Sequence, residues 1–185
     1  MGIIFVAGVY GVGKSTLCET LSNTLCIPAY SAGDLISKVN GEKYGANKAV
    51  SNKINNQNIL INELNEILQY HSTILLAGHF CIFDKSNCVN ELPKSVFEQM
   101  QIEQILLLER DVEKIVHFLN VRDNKLYTHE QIKRLLTAER ISAEEVANAI
   151  DCPLHIHKMI FDKTDLEICI SIIKEEYKNE NFIRY

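Results

Sequence analysis

The sequence contains no arginine before residue 110, although lysines occur along most of its length. Its 19 lysines and arginines are outnumbered by 24 aspartates and glutamates, which gives a formal net charge of -5. Proteins that bind nucleic acid over a broad surface commonly carry a basic excess. The charge balance therefore argues against such a surface, but it leaves room for a small basic pocket that binds phosphate.

Long apolar runs and paired cysteines are absent as well. No stretch approaches the roughly 20 residues that cross a membrane, and the opening segment MGIIFVAG is too short for a signal peptide. None of the six cysteines stands in a C-x-x-C pair, a pattern typical of free thiols in a reducing compartment. We expect a cytoplasmic protein that makes no use of a membrane.

Strand and helix patterns alternate along the chain. Short apolar runs such as 3–7, 73–77 and 105–108 predict buried parallel strands, and the leucines at 17, 21 and 25 predict one apolar helix face. Asp111 is a candidate helix N-cap, and Thr128-x-x-Gln131 and Thr164-x-x-Glu167 are capping-box patterns. We predict one α/β domain over residues 1–185, with a five-stranded, mostly parallel sheet and helices on both faces.

The stretch GVYGVGKST carries the strongest chemical signal. It matches G-x-x-x-x-G-K-[ST], a phosphate loop of the Walker A type, and it lies between a predicted strand and a predicted helix. Glycines let backbone amides converge on phosphate oxygens, and the helix adds the positive end of its dipole. The predicted nucleotide-binding residues are Gly8, Gly11, Val12, Gly13, Lys14, Ser15 and Thr16. Lys14 is suited to the terminal phosphates, Ser15 to Mg²⁺ and Thr16 to an α-phosphate.

Further segments occur in an order that resembles one family. They are Ser31-Ala32-Gly33-Asp34-Leu35, Ala77-Gly78-His79-Phe80, Arg122-Asp123 and Arg140. With the phosphate loop, they make the chain similar to the adenylate-kinase-like branch of the P-loop kinases. That branch includes archaeal-type adenylate kinases and related AAA-labelled ATP-binding proteins, and the similarity covers nearly the whole chain.

The resemblance implies a three-layer kinase fold that uses ATP and Mg²⁺. It also implies an acceptor-side insert over about 34–70 and a short lid over about 119–128. Arg122 corresponds to a lid cation and Arg140 to a cation of the transfer site, with Lys125 as a further candidate. The polar segment 40–58 contains Val50 and Ile54 at helical spacing, which predicts a small helix over the site.

Two of the departures of this chain from the family bear on the metal and on the acceptor. The third strand ends in Ala77-Gly78-His79, where relatives carry an aspartate near the magnesium. Either Ser15 and the phosphates hold the metal alone, or Asp34 or Glu109 substitutes, or turnover is weak. The acceptor half also lacks arginine, and a lysine does not reproduce the bidentate fork of arginine on a phosphate. Lysines there are candidates for acceptor binding or for a solvated face: Lys38, Lys43, Lys48 and Lys53.

Two side chains are candidates for proton transfer. His79 follows a predicted strand, where it could bind an acceptor phosphate, take a proton or serve the fold alone. Asp34 is either a base for an acceptor hydroxyl or a helix cap. The leading hypothesis is a kinase with a nucleotide or nucleoside-like acceptor. The alternatives are a slow ATPase switch without a small-molecule acceptor and a nucleic-acid end kinase, against which the acidic balance argues.

Overall fold

The computed structural model describes residues 2–40, 53–84 and 86–182. The strands are β1 (Ile3–Ala7), β2 (Ala29–Ser31), β3 (Ile74–Ala77), β4 (Cys81–Phe83), β5 (Val89–Glu91), β6 (Ile102–Glu109) and β7 (Leu154–Lys158). The helices are α1 (Lys14–Leu25), α2 (Ala32–Asn40), α3 (Lys53–Ile67), α4 (Lys94–Glu98), α5 (Val112–Asp123), α6 (His129–Ala149) and α7 (Lys163–Phe182). Val50, on which the predicted small helix partly depended, lies outside the described residues, and so do the candidate acceptor-binding lysines Lys43 and Lys48.

Five strands form one parallel sheet in the order β2-β3-β1-β6-β7, which confirms the predicted fold class. Every residue of β1 and β3 is buried, which explains why these strands are continuous apolar runs rather than alternating ones. The chain moves from β1 outwards to β2 and then returns through β3 to β6 and β7. Because parallel crossovers are right-handed, α1 covers one face of the sheet and the later crossovers cover the other. Contacts of α1 with α7, and of α4 and α5 with α6, agree with this division.

A small antiparallel hairpin, β4 paired with β5, follows the third strand of the sheet. The sequence predicted only a loop there, because strands of three residues are too short to show a periodic pattern. The Asp84 carboxylate closes the turn by accepting hydrogen bonds from the amides of Ser86 (2.7 Å) and Cys88 (2.9 Å). The hairpin packs against α6.

Helix caps decide where three of the helices begin. Asp111 accepts the Glu113 amide at 3.0 Å, and Thr128 and Gln131 form both halves of a capping box, as predicted. The prediction for Thr164 is wrong. The last helix already begins at Lys163, and the Asp162 carboxylate accepts the Thr164 amide at 2.7 Å. An aspartate placed before the threonine takes over the capping role.

None of the helices within the described ranges is long and apolar enough to cross a membrane. All six cysteines are free, and three of them are buried: Cys18, Cys81 and Cys169. The described part of the chain therefore obtains its cohesion from one apolar core rather than from cross-links.

Candidate functional site

The strand order predicts a crevice where the crossovers leave the sheet in opposite directions. The connection after β1 leads to one face and the connection after the adjacent β3 leads to the other. Open α/β sheets bind ligands at such a switch point, outside the carboxyl ends of the strands. Val6 pairs with Ala77, and Ala77 pairs with Ser31, so the segments that follow β1, β3 and β2 emerge side by side. The sheet thus brings together three of the motifs found in the sequence.

The phosphate loop at this crevice requires glycine at its two ends. Gly8 has φ +142°, and a Cβ there would lie 2.5 Å from the carbonyl oxygen of Leu108. Gly13 has φ +104°, and its Cβ would lie 2.8 Å from the ring of Phe161. Both positions have a positive φ and no room for a side chain. Between them only Gly11 is partly exposed, while Val9, Tyr10 and Val12 are buried. The loop leads into the N-terminus of α1, where backbone amides favour an anion.

Lys14 lies across the mouth of this loop. Its Nζ donates to the carbonyl oxygens of Gly8 (2.6 Å) and Val9 (3.0 Å), and the side chain is half-buried. The ammonium group therefore stands on the loop itself, where a bound anion could draw it away from the carbonyls. A flexible stem with a point charge at its end is suited to that movement.

Ser15 and Thr16 occupy the first turn of α1 with exposed side chains. Within the described residues, no group of three or more His, Cys, Asp or Glu side chains is arranged to hold a metal. Mg²⁺ does not require such a group, because it keeps several waters and takes few protein ligands beside phosphate oxygens. The Ser15 hydroxyl at the loop fits that limited role, and it is a hard oxygen donor of the kind that Mg²⁺ prefers.

A buried carboxylate that the sequence analysis did not single out joins the phosphate loop to the segment after β3. Glu139 on α6 is only 1% exposed. It accepts hydrogen bonds from the amides of Gly8 (3.1 Å), Phe80 (3.0 Å) and Cys81 (2.6 Å). Its signal in the sequence was a charge on an otherwise apolar helix face, flanked by the buried Leu135 and Ala143.

His79 lies next to the phosphate loop, and Asp34 lies at the neighbouring strand end. The His79 ring packs against the Tyr10 ring of the loop, with 4.4 Å between centroids. Asp34 is exposed in the first turn of α2, and its amide donates to the Ser31 hydroxyl at 3.3 Å. Ser31 therefore supplies the side-chain acceptor at the start of this helix, which leaves the Asp34 carboxylate free of that capping role. Ala77 is buried at the end of β3 and offers no polar group.

Arg140 forms a bidentate ion pair with Glu109, the last residue of β6. Its Nε and Nη2 each lie 2.7 Å from a carboxylate oxygen. These hydrogen bonds raise the pKa of the guanidinium, which is charged in any case. The Arg140 side chain keeps 46% of its surface exposed, so the pair lies at the rim of the site and is open to exchange.

Arg122 pairs with its neighbour Asp123 at the end of α5, with Nη2 2.8 Å from a carboxylate oxygen. Tyr127 donates to the same carboxylate at 3.1 Å, and its ring stacks at 6.3 Å on Phe83 of the hairpin. Lys125 donates at 2.7 Å to the Asn87 side chain in the hairpin turn. The segment predicted as a lid is therefore packed on the β4–β5 hairpin, and its cations are engaged with protein oxygens.

Arg110 is a second cation at the phosphate loop for which the sequence indicated no role. Its Nη1 donates to the Gly11 carbonyl oxygen at 3.0 Å, and its guanidinium lies 4.0 Å from the centroid of the Phe161 ring. Phe161 is held in turn by Asp165, whose carboxylate accepts the amides of Ile160 and Phe161 and lies 2.7 Å from His157 Nε2. Although burial opposes it, these hydrogen bonds lower the pKa of Asp165.

A groove of about 380 Å³ continues from this point along α5. The side chains that line it are Arg110, Glu113, Lys114, His117, Phe118 and Val121. It adjoins the phosphate loop, because a Cβ on Gly11 would lie 3.2 Å from the Phe118 ring. A planar group bound in this groove would therefore meet an aromatic ring and a guanidinium.

Several solved structures have a fold similar to that of this chain. A shikimate kinase from Bacteroides thetaiotaomicron superposes with a TM-score of 0.60 at 15% identity, covering 96% of this chain and 98% of the other. A gluconokinase from Sinorhizobium meliloti 1021 gives 0.62 at 12% identity, covering 100% and 98%. A shikimate kinase from Acinetobacter baumannii in complex with shikimate gives 0.59 at 15% identity, covering 97% and 94%. At these identities the likeness concerns the fold.

Among curated proteins, no sequence matches this chain. A family model described as AAA domain matches residues 7–134, which include the phosphate loop, β3 and its following segment, and α5. The chain therefore belongs to this AAA domain family, and it has the fold of the P-loop kinases.

Proposed function

We propose that this protein is a small-molecule kinase that transfers the γ-phosphoryl group of ATP, with Mg²⁺, to a nucleotide or nucleoside-like acceptor. The observation that carries the proposal is the phosphate loop with Lys14 across its mouth, adjacent to His79 at the end of the neighbouring strand. The binding site for the phosphate donor and a polar side chain suited to an acceptor then lie at one switch point of the sheet.

In this proposal the backbone amides of the loop and Lys14 hold the β- and γ-phosphates. Lys14 exchanges the carbonyls of Gly8 and Val9 for phosphate oxygens, so its charge follows the ligand. Ser15 would hold Mg²⁺, which neutralises charge on the phosphates when it is bound. The base would lie in the groove on α5, against Phe118 and Arg110.

Transfer forms a bond between the acceptor oxygen and the γ-phosphorus and breaks the bond from that phosphorus to the β–γ bridging oxygen. Where the acceptor oxygen is a hydroxyl, its proton would pass to His79 or to Asp34. Arg140 and Arg122 would stabilise the transferred group after leaving Glu109 and Asp123. Such sites act through positioning and charge rather than through a covalent intermediate.

A second function is favoured by the pairing of those two arginines. Each already has a carboxylate partner, and β3 ends in Ala77 rather than in an acid. A slow ATPase that signals nucleotide binding to another protein needs no acceptor and tolerates such a resting state.

One assay separates the two functions. ADP formation is measured with Mg²⁺ and ATP against a panel of nucleoside monophosphates, nucleosides, sugars, shikimate and gluconate. A kinase gives ADP at a rate that one acceptor raises well above the rate in its absence, and a phosphorylated acceptor that mass spectrometry detects. Slow ADP formation that no acceptor accelerates would contradict the kinase and leave the switch.

A further inference from the structure

We propose that Glu139 is a positioning residue of the phosphate-binding site, which fixes the first glycine of the loop against the segment after β3. The inference rests on the proposed function in one respect, that the loop binds the phosphates of a nucleotide. It goes further in assigning to α6 a direct part in shaping that loop.

The contacts of the Glu139 carboxylate reach two separate loops. Oε1 accepts from Gly8 (3.1 Å) and Phe80 (3.0 Å), and Oε2 accepts from Phe80 (3.1 Å) and Cys81 (2.6 Å). These amides belong to the segments that leave β1 and β3, the two strands that flank the crevice. One side chain therefore sets the separation between the donor loop and the segment that carries His79.

The charge of Glu139 is also part of the site. Burial raises the pKa of this carboxyl to about 7, while the Phe80 amide and the nearby charge of Lys14 favour the ionised form. The titratable groups around it are Lys14 on α1 and Cys81 on β4, with His79 two residues before Cys81 in the same segment. When it is ionised, Glu139 offsets part of the charge of Lys14. Such a charge is costly to bury, and its hydrogen bonds reduce that cost.

The arrangement distinguishes a positioning role from metal binding. A carboxylate has about four lone-pair directions, and the amides of Gly8, Phe80 and Cys81 make four contacts with this one. A metal or its water would have to displace a backbone amide. Glu139 therefore does not replace the acid missing at Ala77 as a metal ligand, although it brings a carboxylate to the same strand end.

The test compares Glu139→Gln and Glu139→Asp with Ser142→Ala as the matched control. Ser142 lies one turn further along the same buried face of α6, and its hydroxyl is 3.4 Å from Cys81 Sγ. Glutamine keeps the size of the side chain but loses the charge and one acceptor. Aspartate keeps the charge on a shorter stem and should restore part of the function. The affinity for ATP is measured by calorimetry at a temperature where circular dichroism shows each variant folded.

We expect Glu139→Gln to weaken ATP binding by at least about ten-fold, Glu139→Asp to lie between it and the unchanged protein, and Ser142→Ala to bind normally. ATP affinity equal to that of the unchanged protein in a folded Glu139→Gln variant would overturn the proposal. An equal loss of ATP affinity in Ser142→Ala would show that Glu139 only supports the fold in general, and would also overturn the proposal.

A second measurement needs neither nucleotide nor variant. Hydrogen exchange followed by NMR reports the amides of Gly8, Phe80 and Cys81 in the unchanged protein. We expect all three to be protected to a similar degree, since one carboxylate binds them. Fast exchange at Gly8 would contradict the proposal. If the protein fails to bind ATP at all, the proposed function fails, while the exchange result still decides whether Glu139 joins the two loops.

Discussion

The Arg140 guanidinium donates two hydrogen bonds of 2.7 Å to the two carboxylate oxygens of Glu109. At the end of β6 the pair therefore presents a neutral unit rather than a cation. Because the Arg140 side chain is about half exposed, the pair contributes little to stability, at most about 1 kcal/mol. A phosphate arriving from solvent could therefore compete for the arginine.

The first prediction concerns this exchange. Arg140→Ala should lower the rate of phosphoryl transfer by about ten-fold or more, because a cation of the transfer site is lost. It should leave the unfolding temperature almost unchanged, as expected for an exposed pair. Steady-state kinetics with the acceptor found in the panel would measure kcat and KM. Arg134→Ala is the control, since Arg134 forms an exposed pair with Glu130 on the same helix. An equal loss in both variants would contradict the assignment.

Lys14 is the subject of the second prediction. Lys14→Met should abolish measurable ATP binding, because the ammonium that would move to the phosphates is gone. Calorimetric titration with ATP measures this, and Lys94→Met is the control, since Lys94 forms an exposed pair with Glu145. Retained affinity in Lys14→Met would show that nucleotide binds elsewhere or through the loop amides alone.

The third prediction is a pH dependence of stability that arises from Glu139. Its pKa is raised from an ordinary 4.5 to about 7 in the folded protein, with burial as the main cause. A carboxyl group with a raised folded pKa contributes stability fully below its ordinary value and loses that contribution as the pH rises through about 7. The melting temperature should therefore fall between about pH 5 and pH 8 by several degrees more in the unchanged protein than in Glu139→Gln. Parallel pH profiles of the two proteins would contradict it.

Asp165 gives the fourth prediction. Asp165→Asn should weaken the hold on the Phe161 segment, because the amide side chain keeps one acceptor oxygen where the carboxylate uses two. Loss of a buried acceptor costs about 1–3 kcal/mol, so chemical denaturation should show a clear loss of stability. ATP affinity should fall as well, since Phe161 lies against Gly13 and Arg110. Asp162→Asn is the control, because Asp162 only caps the same helix.

Much of the fold was predictable because its signals are local. The continuous apolar strands, the phosphate loop and the capping box at Thr128 each depend on residues within one short segment. The β4–β5 hairpin was missed because three-residue strands have no visible period. Thr164 was mistaken for a cap because the four-residue pattern from Thr164 to Glu167 does not include Asp162, which precedes it and accepts the Thr164 amide.

The candidate site was predictable only where a short sequence motif defines it. Gly8, Lys14 and Ser15 follow from spacing, but the partners of Arg140 and Arg110 do not. Glu109 contacts Arg140, and Gly11 contacts Arg110. Both contacts depend on the order of the strands in the sheet, which cannot be derived from a single sequence. The part of Glu139 was visible at most as a charge in an apolar stripe, and its three amide partners depend on two loops meeting in space.

The capping box at Thr128 fixes the phase of α6 independently of the segment before it. An insertion between Asn124 and Tyr127 would alter the connection but leave the helix starting at the same residue, with Glu139 still facing the core. One residue inserted between Thr128 and Glu139 would instead turn the carboxylate by about 100° around the helix axis. Insertions and deletions should thus be tolerated between Asn124 and Tyr127 and excluded between Thr128 and Glu139.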